Sequence, residues 1–336
     1  WEKVTGKAVI PHAKAGEPKL PYNVFDPCIW KQGEYYYALT AGRKPIAESG
    51  KPVRAEFLHR SKDLAKWEYL HTFLEGDQWG LVGDDGACPY FWPIGKKGEK
   101  HLLLHFSHMS GGKYMLGDYD TGRDKFVVTH AGNLNHGPVA PGGVHAPSAC
   151  PDGEGGIINI HNMNPAKGTQ GWNQLMTLPM RLTLAPPGDP DRLHIAPAGD
   201  IESLRHEHQH LEQTPLPANK EIVLENIRGN TMEINAVIDP RGAQAVVMDV
   251  LRSPGAGEYT RITLMKGRGY RSRARGFSST TITLDNTRSS DLPDVRSRPP
   301  ETAQFALRGN EPIELRIFID RSVVEVFANG RQYLAL

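Results

Sequence analysis

Asp84, Asp85, His105 and His108 lie close together in the chain, and carboxylates beside imidazoles are the side chains that exchange protons near neutral pH. A lone His or Asp beside a turn is as readily a solvated or structural residue, so the cluster is a candidate for proton transfer and not yet a motif. Asp26 precedes Pro27. Its carboxylate can accept hydrogen bonds from hydroxyls, although Asp-Pro is also ordinary turn chemistry. His206, His208 and His210, with Glu207 among them, would bring the outer two imidazoles onto one face of a helix. With no further ligand in view, a solvated surface is the plainer reading and no metal is expected. Cys28, Cys88 and Cys150 are widely spaced and odd in number, so they read as free packed thiols and not as a disulfide framework or zinc site.

The elements that must position these residues are short. Strand-like runs occur at Tyr35–Leu39, Ala55–His59, Lys100–Phe106, Lys113–Tyr119, Ile157–His161 and Leu175–Pro179, with turn signals at Lys31-Gln32-Gly33, Ser61–Leu64, Ser110-Gly111-Gly112 and Thr121-Gly122. No helical period is convincing in this half. Ile201–His208 predicts a turn or two of helix, ended by Thr214-Pro215-Leu216-Pro217. Beyond it, Glu221–Leu224, Met232–Ile238, Ala245–Leu251, Ile262–Leu264, Thr281–Leu284, Ile313–Ile319 and Ser322–Phe327 alternate apolar and polar residues, the pattern of a half-buried antiparallel sandwich. The chain is thus expected to be all-β, with 35 glycines and 26 prolines for its many turns. Residues 1–200 would form one domain, 201–219 a linker and 220–336 the sandwich.

Longer strings carry a resemblance. Leu315-Arg316-Ile317-Phe318-Ile319-Asp320-Arg321-Ser322-Val323-Val324-Glu325-Val326-Phe327-Ala328-Asn329-Gly330, Ser61-Lys62-Asp63-Leu64-Ala65-Lys66-Trp67-Glu68-Tyr69, Gly171-Trp172 and Leu178-Pro179-Met180-Arg181 together resemble glycoside hydrolase family 32, the invertases, levanases and inulinases. The resemblance runs in order along the whole chain. It implies a five-bladed β-propeller followed by a C-terminal β-sandwich, and hydrolysis of sucrose or fructans with retention by two carboxylates about 5–5.5 Å apart. A third carboxylate would steady the transition state, and no cofactor would be needed.

Carried over residue by residue, the resemblance is incomplete. The family's Asn-Asp-Pro-Asn-Gly nucleophile string is absent, and Trp1-Glu2-Lys3 resembles the close of a first blade; the expectation is a fragment whose first blade, with the nucleophile, precedes residue 1. Asp26 matches the Asp of an Arg-Asp-Pro motif, with Phe25 in place of the Arg. Gly86-Ala87-Cys88-Pro89-Tyr90-Phe91 matches Trp-Glu-Cys-Pro-Asp-x-Phe, so the acid/base Glu is Ala87 and the Asp is Tyr90. Cys88 reads as packing. Three explanations stay open for Ala87: a substitution that traps a complex, a protein that binds sugar without cleaving it, or another group in the role. Phe25, Ala87 and Tyr90 together fit a divergent branch with a remodelled pocket. Asp85 is the first surrogate, two residues away on the same strand face, with His105 and His108 as alternatives. Trp172 matches a sugar-lining tryptophan; tryptophan is a core residue by default, but a sugar platform is the favoured reading because apolar sugar faces stack on aromatics. His145 stands where a Tyr is usual and would bond a hydroxyl or sit satisfied in the core.

The remaining totals narrow the partners. Thirty-nine basic against 38 acidic residues leave a net charge of +1, which gives no field for nucleic acid. The local cluster of Arg268, Arg271 and Arg273 reads as a solvated loop. No apolar run approaches the roughly 18 residues of a membrane helix. A carbohydrate is the expected ligand. A scaffold that only binds sugar, or that only binds a partner, is the alternative, because fold alone does not decide function. Oligomeric state and location stay open.

Overall fold

The computed structural model describes all residues except 1, 4, 5, 139, 141, 190, 268–276 and 310. Trp1 and the arginines at 268, 271 and 273 therefore lie outside the described residues. The chain divides into two compact units, residues 1–139 with 143–164, and residues 140–142 with 165–336.

In the first unit, β1 (Phe25–Gln32), β2 (Tyr35–Pro45), β3 (Pro52–Ser61) and β4 (Glu68–Thr72) form an antiparallel meander. A second sheet holds β5 (Leu74–Glu75), β6 (Ala87–Ile94), β7 (Lys100–Ser107), β8 (Gly111–Asp120) and β9 (Lys125–Asn135), in the order β5-β9-β8-β7-β6. β10 (Val144–Pro151) and β11 (Ile157–Met163) pair as a hairpin. β1 lies against β6, and β6 against β10. Leading strands meet in this way when meander sheets are set around an axis as propeller blades. Leu39, Leu58, Phe73, Phe91, Leu103, Met115 and Phe126 fill the space between the first two sheets. Phe73 also links them through its backbone, donating to the Glu56 carbonyl at 2.7 Å and accepting from the Phe126 amide at 3.0 Å.

The second unit begins with β12 (Leu175–Met176), then a hairpin of β13 (Met180–Leu184) and β14 (Leu193–Pro197). It continues with β15 (Thr231–Ile238), β16 (Ala245–Val250), β17 (Thr260–Lys266), β18 (Phe277–Asp285), β19 (Glu301–Arg308), β20 (Ile313–Asp320), β21 (Val323–Ala328) and β22 (Gln332–Ala335). These make two sheets, β15-β20-β21-β22 and β16-β17-β18-β19. Alternate residues of both, such as Ile262, Leu264, Ile282, Leu284 and Phe305 from one and Leu315, Ile317, Ile319, Val324 and Val326 from the other, enter one core. That is a β-sandwich.

Three expectations need correction. The helical signal at Ile201–His208 yields a single 3₁₀ turn, Ile201–Leu204, and the chain then runs exposed and without helix, so His206, His208 and His210 share no helical face. Glu221–Leu224 is not a strand but an exposed segment; β-propensity without a neighbouring strand to bond does not make a strand. Leu175–Pro179 shortens to two strand residues: the Leu178 amide goes to the Glu325 carboxylate at 2.9 Å and not to a ladder, and Pro179 has no amide to give.

One glycine sets the geometry that matters below. Gly111 ends the turn between β7 and β8 at a φ of +82°, and a Cβ there would run into the carbonyl oxygen of Asn135 on β9. Gly111→Ala is expected to cost about 2–4 kcal/mol, from the left-handed backbone and the clash together. Urea unfolding at unchanged slope measures it; a loss under about 0.5 kcal/mol would show that the turn relaxes freely.

Candidate active site

The first unit repeats one backbone device three times. The register of β1 with β2 slips between Phe25 and Cys28. That of β6 with β7 slips between Ala87 and Tyr90, and that of β10 with β11 between His145 and Pro147. In each bulge a non-glycine residue takes a positive φ, Asp26 at +34°, Cys88 at +50° and Ala146 at +46°, and a proline follows. Such conformations cost about 1–3 kcal/mol each and cluster where function holds them in place. β1, β6 and β10 are the strands that lie against one another, so the device gathers the side chains around residues 26, 88 and 146.

Asp26 and Cys88 meet directly. The Cys88 thiol donates to the Asp26 carboxylate, and its pKa is pushed up to about 12 by burial first, then by the charge and hydrogen bond of Asp26 and by the charge of Asp85. Cys88 is therefore a neutral thiol at neutral pH and no nucleophile. Asp85 is 6% exposed in its side chain. It accepts from Arg43 Nη2 at 3.1 Å, from the His108 amide at 3.2 Å and from His108 Nδ1 at 2.9 Å. The adjacent Asp84 is buried beneath it, accepting from Ser110 Oγ at 2.7 Å and the Leu81 amide at 3.2 Å, with Lys113 Nζ at 3.6 Å. Burial works against its ionisation, but Ser110, Lys113, Ser107 and Leu81 outweigh it and hold its pKa below the usual carboxylate range. Asp84 thus anchors the loop from which Asp85 projects.

The other residues singled out from sequence divide. Ala87 is buried and Phe25 and Tyr90 are exposed to different degrees on β1 and β6. His145 is half-buried beside His108, and burial and then the neighbouring imidazole lower its pKa. His105 is fully buried. Its Nε2 accepts from Arg54 Nη1 at 3.2 Å, and burial, then the charges of Arg54 and Lys113, keep it neutral. It belongs to the interior and does not face a ligand, which removes it as an alternative surrogate. Trp172 lies in the second unit, 48% exposed, in a loop pinned by Thr169 Oγ1. It is not a core residue of that unit.

Two buried groups escaped the sequence reading. Arg54 on β3 grips Asp77 with two bonds of 2.9 and 2.8 Å. Glu56, on the same strand, is 0% exposed, and neither carboxylate oxygen has a hydrogen-bond partner among the described residues. It occupies the space that a side chain at Gly86 would fill. Burial raises its pKa to about 8, and the charge of Arg54 only partly offsets this. The available signal was an acidic residue inside the run Ala55–His59, opposite a glycine distant in sequence.

Known proteins resemble this chain throughout. A family model described as the glycosyl hydrolases family 32 N-terminal domain matches residues 1–197, and one described as the family 32 C terminal matches residues 200–335. A levanase of Bacillus subtilis is 24% identical over 99% of this chain and 48% of its own length. A sucrose-6-phosphate hydrolase of Staphylococcus xylosus is 24% identical over 90% of this chain and 58% of its own. The chain therefore spans about half the length of these relatives. Among solved structures, fructan 1-exohydrolase IIa of Cichorium intybus superposes with a TM-score of 0.69 at 15% identity, covering 90% of this chain and 63% of that one. The sucrose-6-phosphate hydrolase of Lactobacillus gasseri gives 0.66 at 21%, covering 97% and 64%. With both family models matched end to end, and with propeller-like sheets in one unit and a sandwich in the other, the chain is a divergent member of glycosyl hydrolase family 32 with that family's β-propeller and β-sandwich fold.

Proposed function

We propose that this protein hydrolyses the O-glycosidic bond of sucrose or of a fructan as a β-fructofuranosidase, retaining configuration through a two-carboxylate route. The observation that carries the reading is that Asp26 meets Cys88 at adjoining bulges while Asp85, in the loop before β6, binds His108 in the turn after β7: polar side chains are present although the residue expected to be the acid/base is Ala87. Asp26 steadies the positive charge that builds on the sugar ring. The displaced acid/base function falls to Asp85 together with the His108 imidazole that it binds, and Phe25, Ala87, Cys88, Tyr90 and His145 contact the sugar. Residues 1–200 as a five-bladed propeller lacking most of its first blade, a linker at 201–219 and a sandwich at 220–336 are the arrangement this reading assumes. The relatives named for sucrose-6-phosphate and levan support a fructosyl substrate.

Ala87 favours one rival, a protein that binds carbohydrate without cleaving it. Incubation with sucrose, inulin, levan and aryl fructosides decides between them. Hydrolysis is expected, with fructose released from at least one of these. Calorimetric binding without release from any would make the protein lectin-like and sink the hydrolase reading.

A further inference from the structure

His108 sits in the turn between β7 and β8, its ring against Phe106 at 4.8 Å between centroids. Asp85 grips the residue twice, through the backbone amide at 3.2 Å and through Nδ1 at 2.9 Å. Because an ionised carboxylate only accepts, Nδ1 carries the hydrogen and Nε2 is the nitrogen left to exchange a proton. The side chain is 58% exposed while Asp85 is 6% exposed, and among the described residues nothing bonds Nε2. A carboxylate that orients an imidazole whose other nitrogen faces outward is the arrangement of a general acid/base. Arg43 donates to the same Asp85 oxygen at 3.1 Å, so both carboxylate oxygens are occupied by donors and Asp85 is poorly placed to give a proton itself.

We infer that His108 exchanges the proton with the leaving-group oxygen, and that Asp85 is a positioning residue acting through it, in place of the carboxyl absent at Ala87. The inference rests on the hydrolase reading above. In the first half-reaction the bond from the anomeric carbon to the leaving oxygen breaks. Its electron pair goes to that oxygen, which takes the proton from Nε2, while a carboxylate nucleophile bonds the anomeric carbon with its own pair. In the second half a water oxygen bonds the anomeric carbon, Nε2 takes the water proton, and the carboxylate leaves with its pair. Nδ1–H stays on Asp85 throughout. Phe106 and the Gly111 turn fix where the ring stands.

Leaving-group dependence tests this. His108→Ala is expected to lower kcat/KM on sucrose by about 10²–10⁴-fold, yet to lower it less than about tenfold on fructosyl fluoride, whose departure needs no proton. Added imidazole is expected to restore part of the loss on sucrose. His108→Gln, which keeps bulk, is expected to behave as the alanine variant does, and Asp85→Asn to lower kcat on sucrose with little change in KM. Equal losses on both substrates would make His108 structural, and full activity on sucrose in both His108 variants would exclude it; either result overturns the inference while leaving the hydrolase reading intact. An unaltered protein that cleaves none of sucrose, inulin, levan, the aryl fructosides and the fluoride overturns both.

Discussion

Asp26→Asn is expected to lower kcat/KM on sucrose or a fructan by about 10²–10³-fold while moving the unfolding midpoint little. Asn tolerates positive φ as Asp does, so the +34° backbone at residue 26 survives and only the charge is lost. A carboxylate that stabilises positive charge only as the sugar–oxygen bond opens contributes to kcat more than to KM. Steady-state kinetics on the two proteins measures the split. A loss under about threefold, with folding intact, would reduce Asp26 to a turn residue before Pro27. An independent sign comes from Cys88: with the Asp26 charge gone its pKa falls from about 12, because burial and Asp85 remain but the neighbouring anion does not. The thiol of the variant is then expected to react faster with a disulfide reagent at alkaline pH than the thiol of the unaltered protein.

Glu56→Gln is expected to stabilise the protein above pH 8 and to leave it nearly unchanged below pH 4. In the folded chain the Glu56 pKa is raised from the ordinary 4.5 to about 8, so the folded state holds a proton that the unfolded state gives up. Below the unfolded value both states are protonated and the carboxyl costs nothing through its charge. Between the two values folding must keep the proton against rising pH, and above the folded value an ionised carboxylate is buried without a hydrogen bond. Stability is therefore lost as pH rises from about 4.5 through about 8, by on the order of 5 kcal/mol in all. Glutamine fills the same space without titrating, so the difference between the two unfolding curves isolates this group while the other ionisable residues cancel. Parallel curves from pH 4 to pH 9 would mean that Glu56 finds a partner or solvent in the native state.

How far the fold could be read beforehand follows from its prolines. The runs Tyr35–Leu39, Ala55–His59, Lys100–Phe106 and Lys113–Tyr119 fall inside β2, β3, β7 and β8, because their alternation and turn chemistry are local. β1 and β10 went unread as strands, and the strand face expected to join Asp85 to Ala87 is not formed, because β6 starts only at Ala87 and Asp85 lies in the loop before it: Pro27, Pro89, Pro93, Pro147 and Pro151 interrupt the three strands, and proline argues against a strand unless a bulge absorbs it. These strands carry the bulges, and the bulges carry the candidate site. Asp26, Asp85 and His108 were singled out by residue type and by position in the family pattern. Their mutual contacts depend on how the strands lie against one another, which no local pattern encodes. Glu56 and Gly86 illustrate the same limit, since a buried carboxyl and the glycine that makes room for it are ordinary residues until the sheets come together.

Phenylalanine, alanine and histidine stand at positions 25, 87 and 145, each just before the same step in the backbone. The step is set by the residue after them and the proline that follows, and it does not depend on what side chain precedes it. Those three positions are interchangeable sockets on a permanent mount. Substitution at any one of them changes what the bulge presents with no strand rebuilt. Reaction chemistry on this scaffold is free to drift faster than the architecture that presents it.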